Sequence, residues 1–196
     1  VLFWDTILRE SVPDCYADLG YRTVSTNPCG EIPLCPYDSC RLLAINLYSY
    51  VVNPFKPDAY FDFDLFKKHV ALAQRIMDDI IDLELEKIER IMAKIDSDPE
   101  NEDVKHTESV LWQKIYKKSG QGRRTGVGIT AEGDMLAALG LRYGTEEATE
   151  FAEKVHQTVA LSAYRSSVEM AKERGAFEVY DSEREKNNPF INRLRE

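Results

Sequence analysis

Apolar side chains at Phe66, Val70, Ala73, Met77, Ile80, Ile81, Ile88, Met92 and Ile95 recur every three or four residues. That period puts them on one face of an α-helix and predicts a single long helix over about 64–95. Asp62 or Asp64 supplies its cap, and Asp98-Pro99 ends it. Residues 96–107 are strongly acidic and read as a surface loop, and Glu108–Lys118 as a short helix. SGQGRRTGVGIT then reads as a glycine-rich turn entering a strand. Asp134–Leu139 starts another helix that Gly140 closes. A last long helix, about 146–174, is punctuated at both ends. Thr145 caps it, Glu146 and Glu147 suit its positive end, Lys172 and Arg174 suit its negative end, and Gly175 provides a left-handed stop.

The first third is less periodic. VLFWDTIL has an apolar, helix-like start and is followed by a turn around Pro13-Asp14. Tyr21–Val24 reads as a short strand. Prolines 28, 33 and 36 make residues 25–37 a loop, because each fixes φ and removes a hydrogen-bond donor. Arg41–Val52 (RLLAINLYSYVV) is an apolar run short enough for a buried strand or a tight helix, and periodicity does not choose between them. No internal repeat or low-complexity stretch interrupts this order.

Composition narrows the class. A chain of 196 residues with 43% hydrophobic and 30% charged residues suits a soluble globular domain. It has neither an apolar run of the roughly 18–20 residues that span a bilayer nor a basic-then-apolar leader, so a cytoplasmic protein without a membrane partner is expected. The formal net charge of −9 argues against a nucleic-acid polymer as partner, but not against a nucleotide as a small ligand. The chain opens at Val1 and stops in INRLRE, which reads as a piece cut from a longer protein.

The four cysteines, Cys15, Cys29, Cys35 and Cys40, crowd into the first fifth of the chain. No C-x-x-C pair occurs, so neither a zinc ribbon nor a thioredoxin-type motif is present. Reduced, inert thiols are the ordinary expectation for Cys15 and Cys35. Cys29 differs, because it stands in STNPCGEI between proline and glycine rather than in an apolar run. In an extended chain Asn27, Cys29 and Glu31 would share one face: a thiol flanked by an amide and a carboxylate. Such a carboxylate is a candidate general base, which the competing picture of a polar surface turn would not need. Cys40, eleven positions later, follows polar residues and precedes apolar ones. That suits a redox thiol and equally a half-buried cysteine.

Other motifs carry less. GRRTGVGIT lacks the Lys-Ser/Thr of a phosphate loop and the full G-x-G-x-x-G spacing, so a turn feeding a strand is the better account. The acids Asp78, Asp79, Asp82, Glu84, Glu86 and Glu89 suit a solvated helix face. Only Glu153–His156 has the Glu-x-x-His spacing of a di-iron bundle, so no metal site is expected.

STNPCGEIPL followed by PYDSCRLLAINL resembles the active-site segment of ribonucleotide reductases, and most closely the adenosylcobalamin-dependent class. The resemblance continues through RIMDDIIDLELEKIERI and GRRTGVGITAEGDMLAALGLRYGT and so covers nearly the whole chain. It implies an α/β fold, part of a ten-stranded α/β barrel, with residues 25–40 as its finger loop. It implies radical reduction of a ribonucleotide. Cys29 matches the cysteine that becomes a thiyl radical, Glu31 the carboxylate that takes the 3′-hydroxyl proton, and Asn27 the amide that holds the ribose hydroxyls. Cys40 matches one of two thiols that end as a disulfide. The short interval from Cys29 to Cys40 is that of the cobalamin class; the metal-cofactor class, the alternative, has a longer one.

The same resemblance implies adenosylcobalamin as cofactor, an external dithiol such as thioredoxin as reductant, nucleotide effectors of the full-length chain and a homodimer. The family's other redox cysteine lies upstream, and Cys15 is too close to Cys29 to match it. The family's phosphate-binding loop, effector site and C-terminal thiol shuttle are missing from this sequence. The isolated piece is therefore expected to be inactive. A non-catalytic helical interaction module with a cysteine-bearing loop is the alternative from a different class.

Overall fold

The computed structural model describes residues 3–10, 12–27, 30, 32–39 and 41–193. In chain order its elements are α1 (Trp4–Glu10), a 3-10 segment (Val12–Leu19), β1 (Ser25–Asn27), β2 (Ile32–Leu34), β3 (Leu42–Asn46), a 3-10 turn (Leu47–Tyr50), β4 (Val51–Val52) and β5 (Tyr60–Phe61). Then follow α2 (Phe63–Ser97), α3 (Glu102–Gly122), β6 (Gly126–Thr130), α4 (Glu132–Ala138), α5 (Glu146–Arg174), α6 (Ser182–Glu185) and α7 (Pro189–Arg193). No described helix is long and apolar enough to cross a membrane.

The helix periodicity holds closely. Phe66, Val70, Ala73, Met77, Ile81, Ile88 and Ile95 of α2 are all buried, whereas Met92 is half-buried and Ile80 is exposed. Its cap is Asp62, whose carboxylate accepts the Leu65 N–H at 2.9 Å, which settles the choice between Asp62 and Asp64. α5 begins where expected, with the Ala148 N–H donating to Thr145 Oγ1 at 3.3 Å. It ends at Gly175 with the positive φ expected, 87°, but with ψ 160°, outside the left-handed helical region.

Of residues 96–107 only 98–101 form a loop. α2 runs to Ser97 and α3 begins at Glu102, capped by Asn101, whose side chain accepts the Asp103 N–H at 2.8 Å. The acids that suggested a solvated loop are placed where a helix dipole favours them. Glu108–Lys118 is the middle of a 21-residue helix, whose C-cap Arg123 is left-handed (φ 42°, ψ 48°). Tyr21–Val24 is not a strand; pairing starts at Ser25. The run at 41–52 divides into a strand, a 3-10 turn and a second short strand.

Two compact units divide the chain. One comprises Arg41–Asp79 and Thr125–Ala176. Within it β3 and β6 pair in parallel, Leu42 opposite Gly126 through Asn46 opposite Thr130. Parallel neighbours require a long crossover, and helices supply it here. β4 and β5 pair antiparallel, Val51 opposite Phe61. The core gathers Ile45, Leu47, Tyr50, Phe61, Phe66 and Val70 with Met135, Leu136, Ala148 and Val155. Contacts from α2 to α5 keep a nearly constant offset: the Ser166 hydroxyl donates to the Ala71 carbonyl at 2.8 Å, Arg75 pairs with Glu173 at 2.6 Å, and Arg174 with Asp78 at 2.8 Å. The two helices therefore lie side by side and parallel. Parallel strands with parallel helices are the arrangement of an α/β barrel segment.

The other unit comprises Val1–Cys40, Ile80–Arg124 and Phe177–Glu196. Its small core is Tyr16, Tyr21 and Cys35, joined by Cys15 and Val179. Phe177 meets the Tyr16 ring edge-on with centroids 6.4 Å apart. Lys118 of α3 sits over the Tyr21 ring, 3.8 Å from its centroid, and its ammonium donates to the Gly20 carbonyl at 2.8 Å. This unit carries the cysteine hairpin.

Candidate functional site

β1 and β2 form an antiparallel ribbon, with Ser25 opposite Leu34, Thr26 opposite Pro33 and Asn27 opposite Ile32. The Gly30 N–H donates to the Asn27 carbonyl at 3.0 Å, closing a four-residue turn. Gly30 has φ 95°, a conformation in which a Cβ is strained. The stretch expected to be a proline-pinned loop is thus a hairpin. Pro33 is tolerated because a two-stranded ribbon consists only of edges.

Asn27 pairs with Ile32 across the ribbon, and residues 28, 29 and 31 between them lie outside the described residues. Of the four sequence-predicted site residues, Asn27 is described and stands at the last pair of the ribbon, half-buried. Cys29, Glu31 and Cys40 lie outside the described residues.

The segment between the hairpin and residue 40 is held by groups that sequence reasoning missed. Arg124, just beyond the C-terminus of α3, donates through Nη1 to the Asp38 carboxylate and through Nη2 to the Pro33 carbonyl. Its side chain is 19% exposed and that of Asp38 only 4%. The other Asp38 oxygen accepts the Ser39 N–H at 2.9 Å, and the Cys35 thiol lies 3.5 Å from Oδ2. Lys114, also on α3, stacks its ammonium on the Tyr37 ring, 5.0 Å from its centroid. The only sequence signal was the arginine pair in GRRTG, weighed above as an anion loop. Instead Arg124 serves the hairpin and Arg123 pairs with Asp82 at 2.7 Å.

The two described cysteines are free and poorly suited to exchange. Burial, reinforced by the Asp38 carboxylate, pushes the Cys35 thiol up to about 11. Burial, with Glu185 beside it, pushes Cys15 up to about 11 as well. Both remain protonated at neutral pH, and the thiolate is the reactive form.

The acids of α2 are not simply solvated. Asp78 and Asp79 meet Arg174, each at 2.8 Å, Asp82 meets Arg123, and Glu89 accepts from the Tyr116 hydroxyl at 2.8 Å. His156, of the Glu-x-x-His spacing, lies 3.5 Å from Glu132. Among the described residues no three His, Cys, Asp or Glu side chains are grouped to hold a metal ion.

The family profile described as ribonucleotide reductase, barrel domain, matches residues 13–192. The vitamin B12-dependent ribonucleoside-diphosphate reductase of Thermoplasma acidophilum is 34% identical over 187 residues, 95% of this chain and 20% of the relative. The protein of the same name from Mycobacterium tuberculosis H37Rv is 31% identical over 185 residues, 94% of this chain and 21% of the relative. The ribonucleoside-diphosphate reductase subunit alpha of Chlamydia pneumoniae is 28% identical over 159 residues, 79% of this chain and 12% of the relative. The chain therefore spans about a fifth of the length of the B12-dependent relatives. On these matches, and with parallel strands and helices already in place, the chain belongs to the ribonucleotide reductase family as part of its barrel domain.

Proposed function

We propose that this chain carries the radical cysteine of an adenosylcobalamin-dependent reductase acting on ribonucleoside diphosphates. The observation that carries the reading is the hairpin itself, whose paired strands meet at Asn27 and Ile32, inside a segment that matches the reductase barrel. The cobalamin class is favoured over the metal-cofactor class. Relatives with B12-dependent names match 94–95% of the chain at 31–34% identity, against 28% over 79% for the subunit alpha.

In this reading Cys29, as a thiyl radical, takes the 3′-hydrogen of the ribose and later returns a hydrogen atom there. The Glu31 carboxylate accepts the 3′-hydroxyl proton as the 2′-hydroxyl leaves as water, and the Asn27 amide holds the ribose hydroxyls. Cys40 and a second thiol give up two electrons and two protons and become a disulfide, so that one C–O bond is replaced by C–H and one water forms. The raised thiols of Cys15 and Cys35 make neither a good second partner. In this reading Cys29 is the thiol of this chain on which the cofactor would act. Adenosylcobalamin, when bound, supplies the radical that begins the cycle. A thioredoxin-like dithiol that reopens the disulfide, nucleotide effectors, a homodimer and a cytoplasmic setting complete the proposal for the full-length protein.

The test uses the full-length protein, assayed for ribonucleotide reduction with a dithiol, with and without adenosylcobalamin, beside its Cys29→Ser variant. Cobalamin-dependent turnover that vanishes in the variant supports the reading. Turnover indifferent to cobalamin moves the protein to the metal-cofactor class. No turnover under any condition favours the non-catalytic interaction module.

A further inference from the structure

The fold gives one arginine a grip on two points of the chain between Cys29 and Cys40. Pro33 lies four residues after Cys29, and Asp38 lies two residues before Cys40. Arg124 donates to both, one arm of its guanidinium to the carbonyl and the other to the carboxylate. We propose that Arg124 is a positioning residue for the proposed reduction, its guanidinium tying the outgoing hairpin strand at Pro33 to the Asp38 carboxylate within the stretch of chain that joins Cys29 to Cys40 in sequence. The inference rests on the reading of those two cysteines as the radical and redox thiols.

Three features support it. First, the pair is withdrawn from water, with 4% of the Asp38 side chain exposed. An unpaired carboxylate there would be costly, so the contact is not an optional surface bridge. Second, the two acceptors differ in kind and position, which suits a planar two-armed donor and not a single ammonium. Third, the clamped carboxylate also faces Cys35, which lies between the proposed radical and redox cysteines in sequence and has its thiol 3.5 Å from Asp38. Burial and Asp38 keep that third thiol protonated, against the opposing pull of Arg124, which removes a competitor for disulfide formation. Arg124 also follows directly on the C-cap of α3, and Lys114 within that helix engages Tyr37.

The experiment compares full-length Arg124→Gln, Arg124→Lys and Asp38→Asn, with Arg123→Gln as control for loss of a neighbouring arginine whose pair is more exposed. Two quantities are read: kcat and KM for ribonucleoside diphosphate, and the rate at which each cysteine of the resting protein is alkylated at pH 8, resolved by mass spectrometry. Arg124→Gln is expected to lower kcat about 10–100-fold, the scale of a misplacement near 1 Å, with KM within about threefold. Its Cys35 should be alkylated at least about tenfold faster. Arg124→Lys should fall between wild type and Arg124→Gln, and Arg123→Gln should stay within about fivefold of wild type in both readouts. Wild-type kcat in Arg124→Gln, or equal losses in Arg123→Gln and Arg124→Gln, overturns the proposal. Should Arg124→Gln fail to fold, Asp38→Asn, which is isosteric and leaves the Pro33 contact, carries the same comparison. A wild-type protein without turnover overturns the reductase reading instead, and alkylation of Cys35 that ignores the Arg124 substitutions then overturns the clamp on its own.

Discussion

The Tyr16 hydroxyl donates to Glu185 Oε1 at 2.6 Å and accepts the Asp181 N–H at 3.2 Å, joining residues 165 and more positions apart. The Tyr16 ring is buried beside Tyr21 and Cys35 in the core of the unit that carries the hairpin. Burial first, and then the Glu185 carboxylate, raises its hydroxyl above the ordinary tyrosine range, so it stays a donor at any physiological pH. Tyr16→Phe should therefore remove both bonds and leave the ring in place. The expected loss is about 1–2 kcal/mol of local stability. Native-state hydrogen exchange at the Asp181 amide reads it as a fall in protection of about 5–30-fold, and unchanged protection would show the bond to be dispensable.

The two glycines at the end of α3 should behave oppositely. A Cβ on Gly122 would lie 2.9 Å from Tyr21 Cε1, inside contact distance of a ring held by the core. Gly122→Ala is expected to cost about 1–3 kcal/mol by overpacking. A Cβ on Gly120 meets Leu85 at 3.7 Å, an ordinary contact, so Gly120→Ala should gain up to about 1 kcal/mol from helix propensity. Thermal unfolding of the two variants side by side gives the sign of each.

Alkaline pH should loosen the same core. Tyr21 is pushed up to about 12 by burial first and then by Cys35 and Asp38, and the Cys35 and Cys15 thiols to about 11, from ordinary values of 10 and 9. Groups raised in the folded state bind their protons more tightly there than in the unfolded chain. Their contribution is whole below about pH 9 and is lost as pH rises through 11 to 12. A pH series of unfolding midpoints should be flat, as far as these groups act, from pH 7 to 9 and fall above it. Replacing Cys35 by Ala should flatten the lower part of that fall.

The α2 cap separates two neighbouring aspartates. Asp62→Ala removes the acceptor of the Leu65 N–H and should cost about 1 kcal/mol, whereas Asp64→Ala removes an exposed carboxylate whose 3.4 Å pair with Lys67 is worth little. Equal shifts in unfolding midpoint would contradict this assignment.

What the sequence determined by itself was whatever is written at short range. The three-to-four spacing of Phe66 through Ile95 predicted α2, because a helix face is a repeat of adjacent turns. Thr145 and Gly175 marked α5 because a cap acts within four residues. STNPCGEI with Cys40 carried the resemblance, and the match over residues 13–192 agrees with it. Tertiary structure decided the rest. The prolines of 25–37 read as a loop, yet strand pairing of Asn27 with Ile32 made a hairpin, because the partner strand supplies the hydrogen bonds that proline does not forbid on an edge. The acids after Asp98 read as solvated, yet Asn101 starts a helix there, because a dipole rewards the same charges that water does. Asp38 and Arg124 lie 86 residues apart, and neither has a local feature that names the other. An ion pair depends on distance in space and on the water excluded around it, and only folding sets either one.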